Sequence, residues 1–195
     1  MRDVRICYVG DSFVNGTGDP IKLGWAGRLS ASPQNNNLDI THYNLGIRRE
    51  TSEDILKRWE AECNSRLTQV SENKVVFSFG VNDTVIENGQ RRVSLESSIE
   101  NAKTILLNAS KKYDVIMIGM PPINDDEQNE RIKELDHKYQ ALCNELNIPY
   151  LSIFNRLVHE QIWRDEVALN DGAHPRDKGY DILANFIKNW SGWVL

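Results

Sequence analysis

No uninterrupted apolar run in this 195-residue chain approaches the roughly 20 residues that a membrane helix needs, so a membrane span is not expected. Cysteine is scarce: Cys7, Cys63 and Cys143 are three in number, far apart, with no C-x-x-C pair. That pattern points to reduced thiols and against a structural zinc. Cys7 falls inside a strand pattern, a poor setting for a nucleophile. Positive charge is in deficit, with 23 Lys and Arg against 28 Asp and Glu and a net charge of -5, which argues against nucleic acid as a partner. Internal repeats and low-complexity segments are missing. Met1 is followed almost at once by a strand pattern whose apolar run is broken by Arg5, which leaves no room for a signal peptide. Together these features suggest a cytoplasmic protein.

What is present is ordinary for a globular enzyme: 40% hydrophobic and 26% charged residues, on a length that suits one domain spanning 1–195. Short β-branched and aromatic runs read as strands over Val4–Val9, Leu38–Asn44, Lys74–Phe79, Asp114–Gly119 and Ile148–Ile153. Between them lie helical patterns. Leu95, Ile99, Ala102, Leu106 and Ala109 step by four and three along one face, as do Ile132, Leu135, Tyr139, Leu142 and Leu146. Thr51 with Asp54 forms a capping box for a helix from Ser52 to about Asn64. Trp25 to Ser30 suggests a short helix. Pro175 is expected to open the last one, which carries Tyr180, Leu183, Ile187 and Trp190. Strands separated by helices imply right-handed crossovers and a mainly parallel sheet covered on both faces, an α/β three-layer sandwich.

In such sheets, sites form beyond the carboxyl ends of the strands. The first strand runs directly into Gly10-Asp11-Ser12, and Asp171-Gly172-Ala173-His174 precedes the last helix. A serine becomes a useful nucleophile only when a base takes its proton and a third group orients that base. Ser12, His174 and Asp171 supply one candidate for each part. Two further blocks follow strand ends on the same rim: Asn44-Leu45-Gly46, and Gly80-Val81-Asn82-Asp83.

These four blocks, in this order and spacing, resemble the GDSL, or SGNH, hydrolase family, and the resemblance runs from Gly10 to the final helix. It implies a flavodoxin-like arrangement of five strands. It also implies an ester or thioester hydrolase that needs no cofactor and no metal and acts on a small-molecule ester. By the same resemblance Ser12 is the nucleophile, His174 the general base and then acid, and Asp171 the orienting group. The Ser12 N–H, the Gly46 N–H and the Asn82 side-chain amide make the oxyanion hole. Fixed donors at that point stabilise the charge of a tetrahedral intermediate, and Asn82 supplies one that does not titrate. Phe13 stands where the family has leucine, and is expected to pack under the loop and alter the pocket floor.

Asp11 and Asp83 read as groups bracing these loops from behind. Arg48 and Arg49 suit a solvated basic pair better than an anion site. His42 in the second strand, His137 on a polar helix face and His159 in a helix after the fifth strand have no companions at metal-ligand spacing. Alternative readings are a carbohydrate O-acetylesterase, a lysophospholipase or thioesterase, and a non-catalytic flavodoxin-like module. A phosphate-binding module would want a Gly-rich or Ser/Thr-rich first loop opening directly into a helix, whereas Ser12 is followed by Phe13-Val14-Asn15.

Overall fold

Ile6 to Val9 are buried without interruption, as expected of a central parallel strand covered on both faces. They belong to β1 (Arg2–Gly10) in a computed structural model that describes residues 1–32 and 37–194. β2 (Leu38–Gly46), β3 (Glu72–Ser78), β6 (Asp114–Ile118) and β7 (Tyr150–Leu151) join it in one sheet of order β2-β1-β3-β6-β7. All four pairings are parallel. The strand order is the flavodoxin-like one, as the resemblance implied. β2 lies at an edge and alternates with mostly exposed polar side chains, a pattern that keeps an open edge from pairing elsewhere. The fifth strand is only two residues long.

Two helical layers cover the sheet. α3 (Ser52–Asn64), α4 (Leu95–Ala109) and α5 (Asp126–Glu145) pack side by side. Their stripes Ile55/Trp59/Cys63, Ala102/Leu106/Ala109 and Ile132/Leu135/Tyr139/Leu142 are buried. α2 (Gly24–Ser30), α7 (Gln161–Leu169) and α8 (Asp177–Lys188) form the other layer. The expected capping box is formed, with the Thr51 N–H donating to Asp54 at 3.0 Å. Among the described residues no helix is long and apolar enough to cross a membrane.

The start of α8 and the setting of His159 also differ from the sequence expectation. α8 starts at Asp177, not Pro175, because Arg176 is extended. The orphan N–H groups of Arg176 and Gly179 are taken at 2.8 Å each by the Glu166 carboxylate of α7, a tertiary cap with no local signal. His159 lies in a turn between α6 (Phe154–Leu157) and α7 rather than in a helix. After β3 the chain forms a 3-10 turn at Asn82–Thr84 and a small hairpin of β4 (Ile86–Glu87) and β5 (Gln90–Arg91).

The carboxyl end of β1 is crowded. A Cβ on Gly10 would run into the Ser78 carbonyl of β3 and the Val14 side chain. Only a residue without one lets β1 continue into the next loop at this separation. Gly10→Ala should therefore lower unfolding free energy by about 1–3 kcal/mol, the usual cost of overpacking, read as a lower urea midpoint with unchanged slope.

Candidate active site

Ser12 is the first residue of a one-turn helix, α1 (Ser12–Asn15), that follows β1 after a single residue. The first strand thus does open directly into a helix, contrary to the sequence expectation. The turn is capped at its start by Asp11, whose carboxylate accepts the Phe13 N–H at 2.9 Å, and at its end by left-handed Gly16. At the first helical position the Ser12 N–H has no intrahelical acceptor.

The Asp171–His174 turn meets this helix across the rim. His174 Nε2 lies 2.7 Å from Ser12 Oγ, and His174 Nδ1 lies 2.8 Å from Asp171 Oδ2. Asp171 also accepts the backbone N–H groups of Ala173 at 3.0 Å and His174 at 2.8 Å. Burial alone would raise the Asp171 carboxyl, but the His174 N–H, the imidazole and the Ala173 N–H outweigh it and hold it below its ordinary value. An ionised Asp171 only accepts, so Nδ1 carries the proton and Nε2 is left to accept from the serine. Ser12 and His174 are 5% and 8% exposed, open enough to be reached and dry enough to strengthen electrostatic contacts. The Phe13 ring lies 4.8 Å from the imidazole, so Phe13 packs under the loop as expected, and it forms a floor beneath His174. Asn170 Nδ2 holds the His174 carbonyl at 3.0 Å.

Asn82 reaches the same rim. Its Nδ2 donates to the Glu50 carbonyl at 2.9 Å, with Asp11 Oδ2 at a long 3.5 Å. The first bond fixes which way the amide faces, and the second N–H remains weakly engaged. Gly46 behaves differently. Its N–H donates to Asn44 Oδ1 at 3.0 Å, and the Asn44 amide is itself held by the Val14 carbonyl at 2.8 Å. A Cβ at Gly46 would collide with the Asn15 backbone, so the glycine serves the close contact between β2 and α1. Three residues on, Arg49 is left-handed at φ 68°, its carbonyl held by Arg92 at 2.9 Å. Arg49 and Arg92 both approach Glu87 of the hairpin at 3.6 Å.

The two bracing acids are buried. Asp83 accepts the Ser52 N–H at 2.8 Å and the Ser98 hydroxyl at 2.7 Å, tying α3 to α4 beneath Asn82. Burial pushes its carboxyl up, against those bonds. Asp11 is pushed up to about 7, chiefly by burial and also by the nearby charges of Asp83 and Glu50, despite the Phe13 N–H. Among the described residues no three His, Cys, Asp or Glu side chains cluster as metal ligands would. A cavity of about 310 Å³ beside the site is lined by Pro122, Asn124, Trp163 and Arg164 among others. It adjoins the Asp171 turn, where the Asn124 N–H donates to Gly172 O at 2.8 Å.

Residues 8–182 match the sequence model of the GDSL-like Lipase/Acylhydrolase family. No curated protein matches the chain. Among solved structures it is similar to a member of the lipolytic G-D-S-L family from Veillonella parvula, at 20% identity over 98% of this chain and 100% of that one, TM-score 0.80. It is also similar to a lipase/acylhydrolase from Enterococcus faecalis, at 26% identity over 96% and 94%, TM-score 0.78. A third is an acetylxylan esterase from Geobacillus stearothermophilus, at 18% identity over 93% and 90%, TM-score 0.75.

The raised Asp11 carboxyl has a consequence for stability. Its folded value, about 7, exceeds the ordinary 3.8, so between these the native state binds more protons than the unfolded one. The contribution of Asp11 is then fully present below about 3.8 and is lost as pH rises through about 7. Asp11→Asn keeps an acceptor for the Phe13 N–H but cannot ionise. Its unfolding free energy relative to wild type should rise between about pH 4 and about pH 7 and level off above that. A wild-type-minus-variant difference that stays flat across that range would show that Asp11 ionises normally.

Proposed function

The chain belongs to the GDSL-like lipase/acylhydrolase family and is a carboxylic ester hydrolase, and from that premise we propose that residues 1–195 form one hydrolase domain that works through an acyl-enzyme on Ser12. The observation that carries this reading is the continuous relay from Ser12 Oγ to His174 Nε2 at 2.7 Å and from His174 Nδ1 to Asp171 at 2.8 Å.

In the first half-reaction Ser12 Oγ attacks the ester carbonyl while His174 Nε2 takes its proton. The carbonyl π pair moves onto oxygen, giving a tetrahedral oxyanion beside an imidazolium. Asp171 stabilises that cation and keeps the ring from turning. Collapse of the intermediate breaks the bond to the leaving alcohol, which takes the proton from His174. In the second half-reaction His174 deprotonates a water that attacks the acyl carbonyl, and the acid leaves as Ser12 recovers its proton. The Ser12 N–H, which has no acceptor among the described residues at the start of α1, and the second N–H of the Asn82 amide are the donors for the oxyanion. Gly46 joins them only if the Asn44 side chain releases its N–H, so we assign Gly46 first to the β2–α1 contact.

The substrate is a small-molecule ester. A non-catalytic module would gain nothing from a serine hydroxyl, an imidazole and a carboxylate in hydrogen-bonded series. An ester panel of increasing acyl length, with acetylated sugars included, identifies the acyl group.

Purified protein should hydrolyse short p-nitrophenyl esters and be labelled by a fluorophosphonate. Ser12→Ala should abolish both while keeping the wild-type circular dichroism spectrum, and wild-type turnover in that variant would remove the nucleophile. Asn82→Ala should lower kcat by about 10²–10³ with little change in KM, because an oxyanion donor acts in the transition state. An unchanged kcat with a raised KM would make Asn82 a binding residue instead.

A further inference from the structure

Arg58 touches three segments of the proposed oxyanion site from behind. It projects from the middle of α3 and is 15% exposed. Nη2 donates to the carbonyl of Gly10 at 3.1 Å and to that of Leu45 at 2.9 Å. Nε donates to Glu50 Oε2 at 2.7 Å, and Nη1 to Glu62 Oε1 at 3.1 Å. Gly10 leads into Asp11 and Ser12, Leu45 leads into Gly46, and Glu50 is the residue whose backbone carbonyl holds the Asn82 amide. One rigid, planar cation therefore spans the ends of β1 and β2 and the loop that orients Asn82. Only a guanidinium offers several donors in one plane at these separations.

Resting on the reading of Ser12 as nucleophile and Asn82 as oxyanion donor, we propose that Arg58 is a positioning residue for the transition state. It sets the distance between the Ser12 turn and the Asn82 amide, and it neutralises the Glu50 carboxylate next to the place where negative charge develops. Glu50 is already one of the charges felt by buried Asp11. Without its counter-ion it would oppose an oxyanion at the same rim. Neither effect bears on the neutral ground-state ester, so the loss should appear in turnover and not in substrate binding.

The test compares wild type, Arg58→Gln, Arg58→Lys, Glu50→Gln and the double variant Arg58→Gln/Glu50→Gln. Each is measured for kcat and KM on a p-nitrophenyl ester, for affinity toward an alkylboronic acid whose tetrahedral adduct mimics the oxyanion, and for thermal midpoint. Arg58→Gln should lose about 10- to 100-fold in kcat with KM within about twofold, the scale of a small misplacement of reacting groups. Boronate affinity should fall in parallel. Arg58→Lys should recover only part, because an ammonium cannot bridge two carbonyls and a carboxylate in one plane. Adding Glu50→Gln to Arg58→Gln should recover part of the loss, since the uncompensated charge is gone. Folded Arg58→Gln with wild-type kcat and boronate affinity, or with the whole loss in KM, overturns the proposal. If Arg58→Gln does not fold, Arg58→Lys decides: a parallel fall in kcat and boronate affinity supports the role, and wild-type values of both overturn it. Ser12→Ala is run in the same series. Turnover independent of Ser12 overturns the acyl-enzyme reading and this inference with it, whereas Ser12-dependent turnover indifferent to Arg58 overturns this inference alone.

Discussion

Ser12 and His174 are 162 positions apart in the chain and 2.7 Å apart in the fold, and the site depends on how that contact is held from both sides. On the serine side, β1 is paired along its whole length with β2 and nearly so with β3. The Ser12 turn thus inherits the position of a strand that is buried without interruption from Ile6 to Gly10. On the histidine side, the Asp171 turn is suspended between α7 and α8. Glu166 of α7 caps α8, the Gly172 N–H returns to Val167 at 3.0 Å, and the Gly18 loop leaves space for no more than a hydrogen beside His174. Both ends are tied down by bonds of their own, so little additional conformational entropy is lost in forming the hydrogen bond between them.

A second theme is where charge is kept. The rim buries Asp11 and Asp83 and gathers Glu50 and Asp171 nearby. That is a heavy negative load for a site where an oxyanion would develop. The load is managed by different means at each residue. Asp171 is surrounded by donors, which hold its carboxyl below its ordinary value and favour the ionised form. Asp11 is pushed toward its neutral form by burial and its neighbours. Glu50 is paired with Arg58. The same carboxyl group therefore meets three different environments on one rim, set by donors, burial and counter-ions rather than by residue type.

The walls are built from other devices. Asp19, fully buried, accepts N–H groups of Ile21, Leu23 and Gly24 and pairs with Arg28. This shapes the loop between α1 and α2 beside the site. Asp136 does a similar job under β6 and β7, accepting the Met120 N–H at 3.2 Å and the hydroxyls of Tyr150 and Ser152 at 2.5 and 2.6 Å. In both places one buried acid braces a loop by accepting strand-end or helix-start N–H groups that would otherwise lack acceptors.

Much of this was legible in the linear chain because it rests on local physics. Apolar runs of β-branched residues made β1, β3 and β6. Stripes at three- and four-residue spacing made α3, α4 and α5. Thr51 with Asp54 made a capping box, and the blocks at Ser12, Asn82 and Asp171–His174 stand on the rim where strand ends must converge. Other features depend on partners distant in sequence and left no local trace. α8 begins two residues later than Pro175 because the acceptor for its first N–H groups comes from α7. The Asn44 side chain that accepts the Gly46 N–H is itself held by the Val14 carbonyl of α1, thirty positions earlier. Arg58 looks like one more charged residue on an amphipathic helix until the ends of two strands are brought against it. Spacing and composition decided which groups are available for chemistry; only tertiary packing decided how the backbone donors pair, which acids are pushed toward or away from their charged form and which cation bridges the ends of β1 and β2, because each of those is settled by desolvation and by neighbours that the chain order does not specify.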